Sequence, residues 1–295
     1  MRAFLLAAAL WPCRPAAAQP PPTVLAGIDV LRQHGFAEIK GKRVGLITNQ
    51  TGRDRHGRTT VQILANAPDV TLAALFSPEH GFAGISESSS VASGTFSLPD
   101  GRSVPIFSLY GATRAPTADM LSGVDALVFD IQGAGARFYT YSTTMAMAME
   151  AASAAGIDFV VLDRPDPLGG DVVEGPVLED GLRAFTAYMP VPIRHGMTMG
   201  ELARLYNVMG RVGAKLTVVP LKGWRRSMWF DQTGLPWTPP SPNMPDLATD
   251  ILYPGMALFE AFNVSVGRGT PFPFQWIGAP WLDAKSVVRR LRRAR

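Results

Sequence analysis

Residues 71–82 read TLAALFSPEHGF. An apolar run from Leu72 to Phe76 stops at Ser77-Pro78, and an acid and an imidazole, Glu79 and His80, follow at once. A short unbroken run of this kind fits a parallel strand buried on both faces. The same pattern recurs three times. RVGLIT (43–48) leads into NQTG, DALVFD (125–130) into IQGAGARFYTY, and DFVVLD (158–163) into RPDPLGG. The first two runs lie about thirty residues apart, as do the last two, which is the span of a strand–helix–strand unit. TTVQILANA (59–67), with Pro68 after it, and TTMAMAMEAASAAG (143–156), with its terminal glycine, read as the intervening helices. VPIFSLYG (104–111) and KLTVVPL (215–221) add two strands. MTMGELARLYNVMG (197–210) adds a helix that opens with a capping box, Thr198 to Glu201.

Alternating strands and helices predict an α/β fold: a Rossmann-like, open, mostly parallel sheet with flanking helices, over residues 24–275. Such sheets bind ligands beyond the carboxyl ends of their strands. The polar residues expected there are Asn49, Glu79, His80, Asp130, Gln132, Arg137, Asp163 and Arg164. Residues 222–282 are rich in Trp, Pro and Gly and poor in periodicity, the composition of a segment that covers a site or an interface.

Composition narrows the function. The 295 residues are 47% hydrophobic, enough for a large core. The formal charge of +4 is misleading. Without Arg2 and Arg14, 26 basic residues face 24 acidic ones; without the last twelve residues as well, the body is 20 against 24. No basic stripe with interleaved aromatics exists, which argues against nucleic acid as a partner. The tail SVVRRLRRAR reads as a solvated basic helix rather than a membrane anchor. Residues 1–18 have a positive start, a short apolar core and Ala16-Ala17-Ala18 before Gln19. We read them as a signal peptide cut after Ala18, and expect an exported protein, periplasmic or secreted; a buried N-terminal helix is the competing reading. Cys13 would leave with the signal, so the mature chain would have no disulfide or thiolate chemistry.

Several chemistries are disfavoured. The histidines, His34, His56, His80 and His195, include no pair at helical ligand spacing, so no metal is expected. GAGARF (133–138) has Phe138 where a dinucleotide fingerprint needs its third glycine. No G-x-S-x-G elbow is present. No cofactor is expected. Glu79, flanked by Phe76 and Phe82, is the best candidate for a general acid with a raised pKa; a helix cap is the competing role. His80 would bind a ligand, orient Glu79, or bond the backbone of its own loop. Arg137, Tyr139 and Tyr141 suit a sugar or carboxylate ligand, or internal packing. Arg268, in the Gly-flanked stretch NVSVGRGT (263–270), lies where backbone can approach a ligand closely.

Ten stretches in order, VGLITNQTG, LFSPEHGF, ARFYTY, VLDRPDPLGG, VEGP, PIRHGMTMGELA, PSPNMP, YPG, LFE and VGRGT, resemble the exo-β-N-acetylmuramidase NamZ family, formerly a domain of unknown function (DUF1343). The resemblance covers about residues 43–282. It implies a glycoside hydrolase that releases N-acetylmuramic acid from the non-reducing end of peptidoglycan-derived MurNAc-GlcNAc fragments. It implies Glu79 as the catalytic acid, with Asn49, His80, Arg137, Tyr139, Glu260 and Arg268 around the sugar. Arg137 or Arg268 would meet the lactyl carboxylate. The family pattern QDVGARFYTY departs here to QGAGARFYTY, which removes an acid at Gly133. Family members continue beyond IGAPWLD, so residues 276–295 are expected to begin a truncated C-terminal domain. The second catalytic group stays open among Glu260, Asp130, Asp163 and the sugar's own acetamido group. A non-catalytic exported muropeptide-binding protein is the rival reading; a nicotinamide oxidoreductase is a more distant one.

Overall fold

The strands named from apolar runs assemble into one sheet. The computed structural model describes residues 24–179 and 181–293, so the signal peptide expected at residues 1–18 lies outside the described residues. In chain order the strands are β1 (Arg43–Thr48), β2 (Thr71–Ser77), β3 (Gly94–Ser97), β4 (Ser103–Ser108), β5 (Ala126–Asp130), β6 (Asp158–Leu162), β7 (Glu174–Val177), β8 (Pro192–Arg194) and β9 (Lys215–Val219). The helices are α1 (Gly27–Gln33), α2 (Thr60–Ala65), α3 (Tyr141–Ala155), α4 (Met199–Met209), α5 (Leu247–Met256) and α6 (Ala284–Arg293). The main sheet has seven strands in the order β3-β4-β2-β1-β5-β6-β9, and β7 and β8 form a separate antiparallel pair. All main-sheet pairings are parallel except β3 on β4. The expected mostly parallel α/β sheet is therefore present. The short strands β3, β7 and β8 had no apolar run to announce them; β3 and β7 are largely exposed.

The central strands are apolar throughout because both faces are covered. β5 is buried at all five positions. One face packs Ile47, Phe76, Phe129 and Phe159 against Met145, Met149 and Leu202 of α3 and α4. The other packs Leu46, Leu75, Val128 and Val160 against Ile28 and Leu31 of α1 and Val61 and Leu64 of α2. Period-2 alternation along each strand thus feeds two cores rather than a core and solvent.

Helix ends follow local chemistry. Thr198 accepts from the Glu201 N–H while the Glu201 carboxylate accepts from the Thr198 N–H, closing the capping box read from the sequence. α3 stops at Gly156, whose φ of 68° is left-handed. Gly200 has a different duty. A Cβ there would sit 2.5 Å from Val218 Cγ1 and 2.8 Å from Asp163 Cγ. Its absence lets the start of α4 approach β6 and donate the Gly200 N–H to Asp163 at 2.7 Å.

The strand order reverses at β1, which lies between β2 and β5. The carboxyl ends of β5 and β6 are tied there by a buried ion pair, Arg164 Nε to Asp130 Oδ1 at 2.6 Å. Asp130 also accepts from the Thr60 hydroxyl at the start of α2, and Arg164 Nη2 donates to the Arg53 carbonyl at 2.8 Å. Both charged side chains are inaccessible to water, so removing one partner strands the other. Arg164→Ala should lower the unfolding free energy by about 3 kcal/mol. Asp130→Asn combined with Arg164→Met should cost clearly less than the sum of the two single changes. Urea denaturation of the three variants checks this.

Candidate active site

Past the end of β2, the backbone of His80 and Gly81 turns left-handed, with φ of 67° and 80°. This turn sets the Glu79 carboxyl facing the first residues of α3. Thr140 stands at the helix N-cap, yet its hydroxyl caps nothing; it donates instead to Glu79 Oε2. The Tyr110 hydroxyl is a second partner of Glu79, and burial together with that bond pushes the Tyr110 phenol up to about 12. Glu79 is thus gripped by two neutral hydroxyl donors, with no cation bonded to it among the described residues.

A cleft of 260 Å³ opens beside this carboxyl. Glu79, His80, Glu87, Thr140, Thr186, Ser241, Asn243, Glu260 and Arg268 supply its polar lining, and Phe138, Tyr139, Tyr141, Met244, Tyr253 and Phe274 its apolar wall. The wall is a run of edge-to-face rings: Tyr141 to Tyr139 at 5.0 Å, Tyr139 to Tyr253 at 5.8 Å, and Tyr253 to Phe274 at 4.8 Å. Burial raises the Tyr139, Tyr141 and Tyr253 phenols above their ordinary value, so all three stay neutral. Arg268 bonds Glu260 through Nε at 2.5 Å and lies over the Phe274 ring. Burial alone would lower the guanidinium pKa, but the Glu260 bond holds it above its usual value. The left-handed Gly267 lets the backbone beside Arg268 close on Phe272, since a Cβ there would come within 2.6 Å of the Phe272 carbonyl.

Of the residues expected from sequence, Glu79, His80, Tyr139, Glu260 and Arg268 line one cleft. Asn49 and Arg137 do not. Asn49 is buried behind the wall, with its Oδ1 accepting from the Thr51 N–H at 2.9 Å and hydroxyl at 2.6 Å and its amide facing the Tyr141 hydroxyl. Arg137 points away, donating through Nη1 to the Val191 carbonyl at 2.6 Å and the Pro176 carbonyl at 2.7 Å. It holds the β7–β8 pair and is not among the residues that line the cleft. Asp130 and Asp163, two candidates for a second catalytic carboxyl, are also absent from the cleft. Asp130 is neutralised by Arg164, and Asp163 accepts from Thr198 and Gly200 at the head of α4. Burial raises Asp163 to about 6.

Sequence reasoning missed Tyr110, Thr140, Glu87, Ser241 and Asn243. Glu87 lies in SESSS (86–90), which carries no pattern beyond a polar loop. Ser241 and Asn243 stand in PSPNMP, quoted for the family resemblance but given no role. Two smaller recesses hold little more than a water molecule each: 20 Å³ beside Arg164 and 10 Å³ behind Tyr139. Among the described residues no group of three His, Cys, Asp or Glu side chains could hold a metal ion, and no helix is long and apolar enough to cross a membrane.

The fold and cleft define a Rossmann-like α/β protein with a carboxyl-bearing, aromatic-walled site at the carboxyl edge of its sheet. Two family profiles match the chain: "Exo-beta-N-acetylmuramidase NamZ, N-terminal" over residues 44–248 and "Exo-beta-N-acetylmuramidase NamZ, C-terminal" over residues 251–295. The chain belongs to the NamZ family. It is 48% identical over 270 residues to the peptidoglycan beta-N-acetylmuramidase NamZ of Bacillus subtilis (strain 168), covering 92% of this chain and 65% of that protein. The chain therefore spans somewhat less than two thirds of that relative's length. Two crystal structures of DUF1343 family proteins from Bacteroides fragilis NCTC 9343 share the fold. One has a TM-score of 0.85 at 42% identity, covering 93% of this chain and 70% of that one. The other has a TM-score of 0.75 at 34% identity, covering 88% and 68%.

Behind Tyr139 lies a buried pair with a pH signature. His195 Nδ1 accepts the Met197 N–H at 3.1 Å, so it carries no proton, and it faces Asp166 Oδ2 at 3.5 Å. Burial lowers His195 to about 4 and raises Asp166 to about 7; Arg194 opposes the Asp166 shift, while Glu201 adds to it. Asp250 lies near Asp166 and is itself raised by burial. A carboxyl raised in the folded state costs stability as pH climbs from its unfolded value near 4 to about 7, and that cost then stays constant. Asp166→Asn, which keeps an acceptor for the Leu168 N–H, should therefore raise the melting temperature relative to wild type more at pH 8 than at pH 4.5. Thermal melts at the two pH values check it.

Proposed function

We propose that this chain is an exported, exo-acting glycoside hydrolase that releases N-acetylmuramic acid from the non-reducing end of peptidoglycan-derived MurNAc-GlcNAc fragments. The observation that carries this reading is Glu79: a carboxyl held by the Tyr110 and Thr140 hydroxyls at the mouth of a sugar-sized cleft, in a chain of the NamZ family. Export suits a cell-wall substrate and the pattern of residues 1–18.

In this reading Glu79 delivers a proton to the glycosidic oxygen as the bond to the sugar's anomeric carbon breaks. The two hydroxyl donors then stabilise the carboxylate left behind. The ring wall from Tyr141 to Phe274 receives the apolar face of the sugar and excludes water from one side. Arg268 keeps N–H groups free beyond its bond to Glu260 and meets the lactyl carboxylate that distinguishes muramic acid from glucosamine.

Two measurements test this. Mass spectrometry of MurNAc-GlcNAc incubated with the protein should show free N-acetylmuramic acid. Glu79→Gln should lower kcat about 10²–10⁴-fold while leaving binding of the fragment intact. A binding protein without turnover would show no release from wild type. Arg268→Ala should raise KM for the muramyl substrate and leave any residual cleavage of the matching N-acetylglucosaminide unchanged, because only the former carries the lactyl group.

A further inference from the structure

The acid above leaves the other half of the reaction unassigned, and the fold removes most candidates for it. Asp130 and Asp163 are outside the cleft. Glu260 is inside, but it is neutralised by Arg268 at 2.5 Å. One carboxylate remains. Glu87 lines the cleft, stands exposed to solvent, and is fastened through one oxygen: Asn243 Nδ2 donates to its Oε1. Among the described residues no hydrogen bond engages Oε2.

The loop that brings Glu87 there is built with care for a surface segment. His80 Nδ1–H donates to the Ser86 carbonyl at 2.7 Å, and the Ser86 N–H donates back to the His80 carbonyl at 3.1 Å. This pair of hydrogen bonds between residues 80 and 86 closes the turn and holds His80 at a left-handed φ that a residue with a side chain rarely adopts. The Gln50 amide packs where a Cβ on Gly84 would lie, and its Nε2 donates to the Pro239 carbonyl at 2.8 Å and the Pro240 carbonyl at 3.2 Å. One side chain thus registers the loop carrying Glu87 against the segment carrying Asn243. Glu79 and Glu87 are joined by a strained, locked loop, and both face the same cleft.

We propose that Glu87 is the second carboxylate of the reaction, the base that activates water, and that His80 is a positioning residue which holds the loop bearing it. This rests on the glycosidase reading above. Glu79 gives its proton to the glycosidic oxygen, and the bond from that oxygen to the anomeric carbon breaks. The water oxygen bonds to that carbon from the opposite face, and its proton passes to Glu87 Oε2. Proton loss at one carboxyl and gain at the other balance the step, and the sugar leaves with inverted configuration.

The test compares wild type, Glu79→Gln, Glu87→Gln and His80→Ala on two substrates: MurNAc-GlcNAc and the 4-nitrophenyl β-glycoside of N-acetylmuramic acid. The nitrophenolate needs little protonation, so Glu79→Gln should lose far less activity on it than on the disaccharide. Glu87→Gln should lose at least ~100-fold in kcat on both, with KM little changed and the wild-type melting temperature retained. Glu87→Gln keeps an acceptor for Asn243, so a folding defect is not expected. His80→Ala should lose kcat on both substrates with KM little changed, because the loop that carries Glu87 is no longer held. The first product seen by proton NMR should be the α-anomer. A Glu87→Gln variant within threefold of wild type on both substrates, or a β-anomer as first product, overturns this assignment and leaves the glycosidase reading standing. A wild type that releases N-acetylmuramic acid from neither substrate overturns both.

Discussion

The carboxyl edge of the sheet depends on one buried ion pair. Asp130 ends β5 and Arg164 follows β6, and their contact at 2.6 Å is buried. Two charges are stable there only because every neighbour answers them: Thr60 from the start of α2 and the Arg53 carbonyl from the loop after β1. Three loops and a helix are thereby fixed to one point beside the strand-order reversal. A rigid edge is what a cleft assembled from separate loops needs, since small displacements of reacting groups are costly.

The cleft itself lies to one side of that anchor, over the N-terminus of α3. Its components come from the loop after β2, from the turn into α3, from Thr186 and from residues 241–274. The Thr140 hydroxyl is diverted from capping α3 to holding Glu79, which shows how the site draws on the scaffold: a residue type suited to a helix cap serves a carboxyl instead. Gln50 acts in a similar way at longer range, tying the 80–87 loop to residues 239 and 240.

Charge is separated by depth. Within the cleft, Arg268 and Glu260 pair with each other at its partly exposed side. Behind Tyr139, burial raises Asp166 to about 7 against the opposing charge of Arg194, and raises Asp250 above its ordinary value.

The sequence by itself determined the sheet and half the site. Runs such as ALVFD are apolar at every position because both faces are buried, and that pattern is local enough to read directly. Glu79 and His80 were legible for a related reason: they follow such a run after only Ser77-Pro78, so the fold class alone puts them at its carboxyl edge. What only the tertiary structure decided was which polar residues share a cleft. Arg137 looked as well placed as Glu79, yet its direction is set by the Val191 and Pro176 carbonyls, far away in sequence. Tyr110 follows an apolar strand that gives no sign of its partner, while Glu87 and Asn243 sit in segments without periodicity and meet only through loop closure by His80 and the reach of Gln50 to Pro239, 189 positions away. Hydrophobic patterning encodes which face a residue shows to the core. It carries no information about which two loop residues meet, because that follows from backbone turns and hydrogen bonds formed only once the sheet is in place.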